Sequence, residues 1–168
     1  MGLSMTMTLL ELFRYKAWAT LRLIEHCHTL NDELLDATMP GTYGTIRSTL
    51  GHLVNADEDY LNILTGETSS PPPTDVPTTL EDLVTTVRRV ARRWEELIHG
   101  GLPDMATADD GYRMPGWVPA AQALHHADDH RTHVLSIIGA GGLEVPRLDV
   151  WAYSRYLRVL LKPDGEPD

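Results

Sequence analysis

The sequence predicts an all-α protein, a four-helix bundle followed by a short extra helix near the C-terminus. Three long segments repeat apolar residues at spacings of three and four, which is the pattern of helices that bury one face, and a fourth is bounded by proline and glycine. The 168 residues suit one ordinary domain, and no pattern of a parallel sheet competes with the helices. We therefore predict one bundle domain over residues 1–161 and a disordered tail over residues 162–168.

The first two helices are separated by a loop rich in turn-forming residues, 31–44. The first helix is predicted from about Thr6 to Thr29, and the second from about Thr45 to Thr65, with Gly66 ending it. The apolar stripes are Leu9, Phe13, Ala17, Leu21 and Ile24 in the first helix and Ile46, Leu50, Leu53, Tyr60 and Leu64 in the second.

A proline-rich stretch, Glu67 to Pro77, is predicted to cross the surface between the second and third helices. The sequence Thr78-Thr79-Leu80-Glu81 matches a capping box, in which a hydroxyl accepts from an early backbone N–H and the glutamate reaches back. The third helix is therefore predicted to begin there and to continue to about Ile98.

The fourth helix is predicted over about Val118 to Ile138, because Pro119 suits a first helical turn and glycines follow the last apolar residue. Residues 100–116 before it have no clear period, which predicts an irregular loop with room for a short strand pair. Asp149 is well placed to cap a short fifth helix over Val150–Leu160.

Composition excludes several classes of function. The formal net charge is −10, which repels phosphate backbones and anionic lipid, so nucleic acid and membrane surfaces are not expected partners. No stretch approaches the roughly 20 apolar residues that cross a bilayer. The single cysteine, Cys27, cannot form an internal disulfide and is interpreted as a small buried hydrophobic residue. With no secretory signal pattern at the N-terminus, these features predict a cytoplasmic protein.

The candidate functional site is a cluster of histidines. His126 and His130 lie four residues apart, so their side chains share one face of the fourth helix on adjacent turns and can chelate one divalent ion. His52, at the edge of the apolar stripe of the second helix, is the best third donor. Three imidazoles leave positions open for water or a substrate thiol. His125 points about 100° away from His126 and is not expected to be a ligand.

Three further residues are predicted to surround this site. His133 falls on the same face as His126, where a fourth ligand, a hydrogen-bonding partner of the ligands and a proton shuttle are the alternatives; the partner role ranks first. Asp129 and Asp59 project toward the same edges, where they can accept the remaining ring N–H of a ligating histidine. The other histidines receive a surface interpretation, and they are His26, His28 and His99.

The segment from His126 to His133, HADDHRTH, resembles the last-helix signature of the DinB/YfiT-like family. The segment from Thr49 to Tyr60, TLGHLVNADEDY, is similar to that family's earlier histidine motif, and the segment from Leu148 to Tyr153 to its C-terminal part. The order and spacing of these short motifs carry most of the resemblance, which extends over about Met7 to Tyr156.

The resemblance implies an up-up-down-down four-helix bundle, often a homodimer, that holds a nickel or zinc ion through His52, His126 and His130. It also implies that the metal activates a low-molecular-weight thiol, mycothiol or bacillithiol, for reaction with a small-molecule electrophile. This sequence departs from the family at His133, where glutamine is common, and that puts the coordination number in question. Arg131 matches the family and is interpreted as an anchor for an acidic group or a helix end.

Three functions remain open on the sequence alone. The first is a metal-dependent thiol S-transferase, and the second is a non-catalytic, stress-linked module that binds or senses metal. The third is a metal-dependent hydrolase, for which Asp57, Glu58 and Asp129 supply acids but no clear H-E-x-x-H base is present. A catalytic site predicts a solvent-connected cavity beside the three histidines. A metal that only stabilises helix packing predicts a closed ligand shell, with His133 or a carboxylate as a further ligand.

Overall fold

The computed structural model describes residues 2–67, 79–108, 110–164 and 166. All four predicted long helices are present, together with the short C-terminal helix and a strand pair. The predicted crossover lies almost entirely in residues 68–78, outside the described residues. In chain order the elements are α1 (Gly2–Cys27), α2 (Asp32–Leu35), α3 (Ile46–Thr65), α4 (Leu80–Gly100), β1 (Met105–Thr107), β2 (Arg113–Pro115), α5 (Trp117–Ala140) and α6 (Val150–Tyr156).

Side chains and glycine fix the ends of the helices that carry the site. The hydroxyl of Thr45 accepts from the backbone N–H of Ser48 at the start of α3, and Gly66 ends that helix in the left-handed conformation. The capping box of α4 lies one residue later than predicted: Thr79 accepts from the Asp82 N–H, and the Asp82 carboxylate accepts from the Thr79 N–H. Both positions offer a hydroxyl and a carboxylate three residues apart, so sequence spacing alone does not separate them.

Two hydrophobic clusters fill the bundle, one toward each end. One cluster joins the C-terminal part of α1 and of α5 to the N-terminal parts of α3 and α4. The other joins the opposite ends, with Leu10 and Phe13 of α1 beside Leu61 of α3, Trp94 of α4 and Ala123 of α5. Thus α1 and α5 run in one direction, and α3 and α4 run in the other.

The all-α four-helix bundle is confirmed, but the helix directions are up-down-down-up and the implied up-up-down-down order is wrong. The loop that contains α2 returns the chain at the same end of the bundle, so α3 runs antiparallel to α1. Of the long helices that are consecutive in the chain, only α3 and α4 run parallel within the described residues. Apolar periodicity shows which face of a helix is buried and not which way the helix runs, so the sequence pattern could not decide this.

The loop before α5 contains the predicted strand pair. Strands β1 and β2 pair antiparallel, with Ala106 opposite Met114, and Ala106 is buried in the second cluster. Gly116, immediately before α5, approaches the backbone so closely that an added Cβ would lie 2.0 Å from the carbonyl oxygen of Pro103. Glycine is therefore required where the chain enters the helix that carries two of the candidate ligands.

Helix α6 covers one side of α1. The Asp149 carboxylate caps it as predicted by accepting from the Ala152 N–H, but the helix ends at Tyr156, short of the predicted Leu160. Tyr153 is buried and its ring lies 5.2 Å from the ring of Trp18 on α1. The predicted disorder of residues 162–168 stays a prediction, since part of that tail lies outside the described residues. Among the described helices, none is long and apolar enough to span a membrane.

Candidate metal centre

The antiparallel packing of α3 on α5 brings the three predicted histidines together. The Nε2 atoms of His52 and His126 lie 3.0 Å apart, and the ring centroids of His126 and His130 are separated by 4.3 Å. The ring of His52 lies 4.9 Å from that of His130. One ligand atom from each residue lies within 4.8 Å of the other two, so the spatial meeting that the sequence predicted is present.

Burial keeps two of these imidazoles uncharged. Burial is the largest cause that lowers the pKa of His126, to about 4, and the neighbouring rings of His130 and His52 lower it further. The pKa of His130 is lowered mainly by burial and then by His52 and His133. Both rings are therefore neutral at pH 7, which is the protonation state that ligates a metal.

The geometry fits a divalent first-row metal ion. Two nitrogens, each about 2.1 Å from one ion, are separated by about 3.0 Å when they subtend a right angle at the ion, and the Nε2 atoms of His52 and His126 lie 3.0 Å apart. The Nδ1 atom of His130 is buried and has no hydrogen-bond partner within the described part of the chain. A polar atom left in that state is costly unless something binds to the site. The residues present therefore fit the group that the resemblance implies.

Two tyrosines flank the cluster, and sequence reasoning missed both as site residues. The ring of Tyr43 stacks on His52, with centroids 4.2 Å apart and an interplanar angle of 9°, and presents itself edge-on to His130 at 5.1 Å. Tyr60 meets His126 at 5.6 Å from the other side. Tyr43 lies in a loop, where helical periodicity has no meaning. The usable signal was an aromatic residue beside Gly44, just before the helix that carries His52.

The three predicted surrounding residues lie at different distances from the cluster. His133 is beside His130, with ring centroids 5.3 Å apart, and groups with Asp129 and His130 rather than with the three-histidine set. Asp59 is exposed two turns beyond His52 on α3, and its bond to a ligating histidine stays a prediction. His125 is exposed, as its angle on the helix predicted.

Arg131 connects α5 to α1 and does not belong to the histidine cluster. Its buried guanidinium donates to the Lys16 carbonyl at 3.2 Å and to the Thr20 hydroxyl at 3.0 Å, and it pairs with Asp128. These contacts support its interpretation as an anchor. Arg131 thus links α5 to α1 at the residue after His130, whose ring meets that of His52 on α3.

Two of the acids considered for hydrolysis have other partners. The Asp57 carboxylate forms an ion pair with the buried Lys16 and accepts from the Trp94 indole N–H at 2.9 Å. Glu58 pairs with Arg89 and Arg93 of α4. The hydrogen bond from Arg89 is the largest cause that lowers the pKa of Glu58. Both carboxylates therefore connect helices and are not free to serve as a base beside the histidines.

A cavity of about 350 Å³ lies between α1, α5 and the segment that leads into α6. It is lined by Tyr15, Arg131 and Asp149, among others, and none of the three clustered histidines lines it. This cavity is therefore not the one that the sequence predicted beside a catalytic metal.

Comparison with known proteins agrees with this architecture. The chain matches the model of the DinB family over residues 5–156. Among solved structures it is similar to a DinB-like protein from Bacillus cereus, with 20% sequence identity, a TM-score of 0.64, and coverage of 83% of this chain and 94% of that chain. At that identity the likeness shows the fold. Among curated proteins, none matches this chain.

Proposed function

The chain belongs to the DinB family, and on that premise we propose that it is a metal-dependent thiol S-transferase. In this proposal His52, His126 and His130 hold one nickel or zinc ion. The co-substrate is a low-molecular-weight thiol, mycothiol or bacillithiol, and the second substrate is a small electrophile. The convergence of three imidazoles from two packed helices carries the proposal.

The donor set favours an open site over a structural one. Structural zinc usually has four protein ligands that include cysteine, whereas three histidines leave at least one position for a substrate atom. The only cysteine of the sequence is Cys27, which is fully buried in the hydrophobic cluster. It therefore does not contribute to the site.

The protonated thiol of Cys27 does not supply the nucleophile of the proposed reaction. Burial raises the pKa of its thiol to about 12, so the protein carries no thiolate of its own at neutral pH. A diffusible thiol must supply it. When bound, the ion lowers the pKa of a coordinated thiol, so that the thiolate forms near neutral pH.

The residues of the chain then have distinct tasks. The three imidazoles would hold the ion to which the thiol binds, while the rings of Tyr43 and Tyr60 cover two sides of the cluster. Tyr43 remains about half exposed, so one side of its ring is available to an incoming organic group. The transfer forms a sulfur–carbon bond and breaks the bond from that carbon to its leaving group, and the thiol proton passes to solvent.

A non-catalytic metal-binding role is the second candidate. The stacking of Tyr43 on His52 favours it, because the ring covers one side of the cluster that a substrate would otherwise approach. Hydrolysis is less well supported, since Asp57 and Glu58 are paired with basic side chains of neighbouring helices.

The test begins with metal analysis of protein purified without a histidine tag. We expect wild type and His125→Ala to retain one ion per chain and His130→Ala to lose it; circular dichroism checks that each variant is folded. His125 is the matched control because it lies on the same helix and is exposed. Full metal retention by His130→Ala would show that the ligand set is wrong.

The second part measures catalysis. Wild type loaded with nickel or zinc is given mycothiol, bacillithiol or cysteine together with a fluorogenic electrophile, and the conjugate is quantified. We expect conjugation with at least one of the first two thiols, and none with His130→Ala. A fully loaded protein that conjugates no thiol would support the non-catalytic role instead.

A further inference from the structure

A second group of metal-ligating side chains lies on the outer side of the first. Asp129, His130 and His133 each offer a ligand atom within 4.8 Å of the other two, and His130 belongs to both groups. We propose that these three residues form an outer site through which a divalent ion is loaded into the inner site of His52, His126 and His130. This inference rests on the proposed metal binding by the inner site.

Helix geometry brings the outer group together on one helix. His133 follows Asp129 by four residues and His130 by three, so its side chain lies one turn beyond both of them on α5 and can meet either one. The His133 Nε2 atom is 4.0 Å from Asp129 Oδ2. That distance is too long for a hydrogen bond, but it is within the separation of about 4.2 Å that two ligands can span across one ion.

The three side chains lead from solvent to the interior. The Asp129 side chain is 54% exposed and that of His133 is 23% exposed, whereas His130 as a whole is 6% exposed. A carboxylate at the outer end attracts a hydrated dication by its charge. The imidazoles further in bind first-row transition metals in preference to calcium or magnesium. The order of exposure thus matches the order in which an ion would exchange water for nitrogen.

Both histidines of the outer group have a buried ring nitrogen without a partner, and that of His133 belongs to the outer group alone. The Nδ1 atoms of His130 and His133 are both buried, and neither has a hydrogen-bond partner among the residues that the structure describes. A structural histidine usually satisfies its buried nitrogen, because leaving it unpaired is unfavourable. The nitrogens of both rings are therefore available to ligate an ion.

The shared residue determines how the two sites are related. A neutral imidazole has one N–H and one nitrogen with a free lone pair, so His130 can ligate one ion at a time. The inner and outer sites therefore compete for His130, and the protein is expected to hold one ion and not a pair. An ion would move inward when His52 and His126 replace Asp129 and His133 as its other ligands.

The kinetic test uses Co²⁺, whose absorption reports its coordination. The variants are Asp129→Asn, His133→Gln and the double variant, with His125→Gln as the matched control. In stopped-flow mixing, we expect association to slow at least several-fold in the double variant and to be unchanged in the control. Since one route serves both directions, release to a chelator should slow by the same factor, leaving the equilibrium affinity unchanged. An unchanged association rate in the double variant would overturn the proposal, as would two ions bound to the wild type.

An equilibrium test separates this inference from the proposed function. In His52→Ala the inner set is incomplete, so we expect weaker Co²⁺ binding that disappears when Asp129→Asn is added. Wild-type affinity that His52→Ala does not reduce would contradict the inner site itself. Tight binding by wild type, with weak binding by His52→Ala that Asp129→Asn leaves unchanged, would contradict the outer site alone.

Discussion

Two polar clusters are buried between the helices of this bundle, and they are built on opposite principles. Around Lys16, unlike groups satisfy one another: its ammonium pairs with Asp57, lies 4.8 Å from the ring of Trp94, and the Trp94 N–H donates to the same carboxylate. Around His52, like groups face each other, with imidazole rings in contact and the buried His130 Nδ1 unpartnered among the described residues. The first cluster is complete in the protein alone, whereas the second keeps a buried nitrogen that a bound ligand would satisfy.

Removing one charge from the complete cluster should produce the largest loss of stability. Lys16→Met leaves the largely buried Asp57 carboxylate without its cation, and breaking such a pair costs about 3 to 5 kcal/mol. We expect a decrease of this order in the free energy of unfolding, measured by urea denaturation. Lys16→Met/Asp57→Asn should recover most of it, because the amide oxygen still accepts from Trp94. A loss below about 1 kcal/mol in the single variant would mean that the pair is not structural.

Metal binding to the histidine cluster should stabilise the folded protein. Binding of an ion only to the folded state raises the free energy of unfolding by about 2.7 kcal/mol when the free ion is at 100 times its dissociation constant. We expect added nickel or zinc to raise the urea midpoint of wild type and a chelator to reverse the effect. His52→Ala should lose most of the response to metal, because only the weaker outer group of Asp129, His130 and His133 remains. Equal stabilisation of His52→Ala would show that the ion binds elsewhere.

The histidine cluster should also make the stability of the metal-free protein depend on pH. In metal-free protein, His126 has a pKa of about 4 in the folded state against an ordinary value of 6.5. Between these values the unfolded chain binds a proton that the folded protein does not, so stability falls as pH decreases from 6.5 toward 4. His126→Gln should show a shallower fall over this window in urea titrations at several pH values. An identical pH profile in the two proteins would contradict the burial of this ring.

The sequence predicted the parts of the site that depend on helix geometry alone. A three-and-four spacing of apolar residues located the first three long helices, and Pro119 with the later glycines located the fourth. The four-residue spacing of His126 and His130 placed both rings on one face. What it could not predict depends on partners distant in the chain. A lysine is ordinarily exposed, and Lys16 is buried only because Asp57, 41 residues away, meets it across the bundle. Helix direction likewise follows from the connections and not from the apolar pattern.

The smallest effect is expected at Tyr43, a loop residue whose ring packs on the candidate ligand His52. Its ring lies 4.2 Å from that of His52 at an interplanar angle of 9°, and such stacking contributes about 0.5 to 1.5 kcal/mol beyond the buried area. Tyr43→Ala should therefore weaken metal affinity by about twofold to tenfold in chelator competition, since His52 is freer to leave its ligating orientation. Tyr43→Phe keeps the ring and should bind as wild type does. If Phe and Ala weakened binding equally, the phenolic hydroxyl and not the stacked ring would be the group that matters.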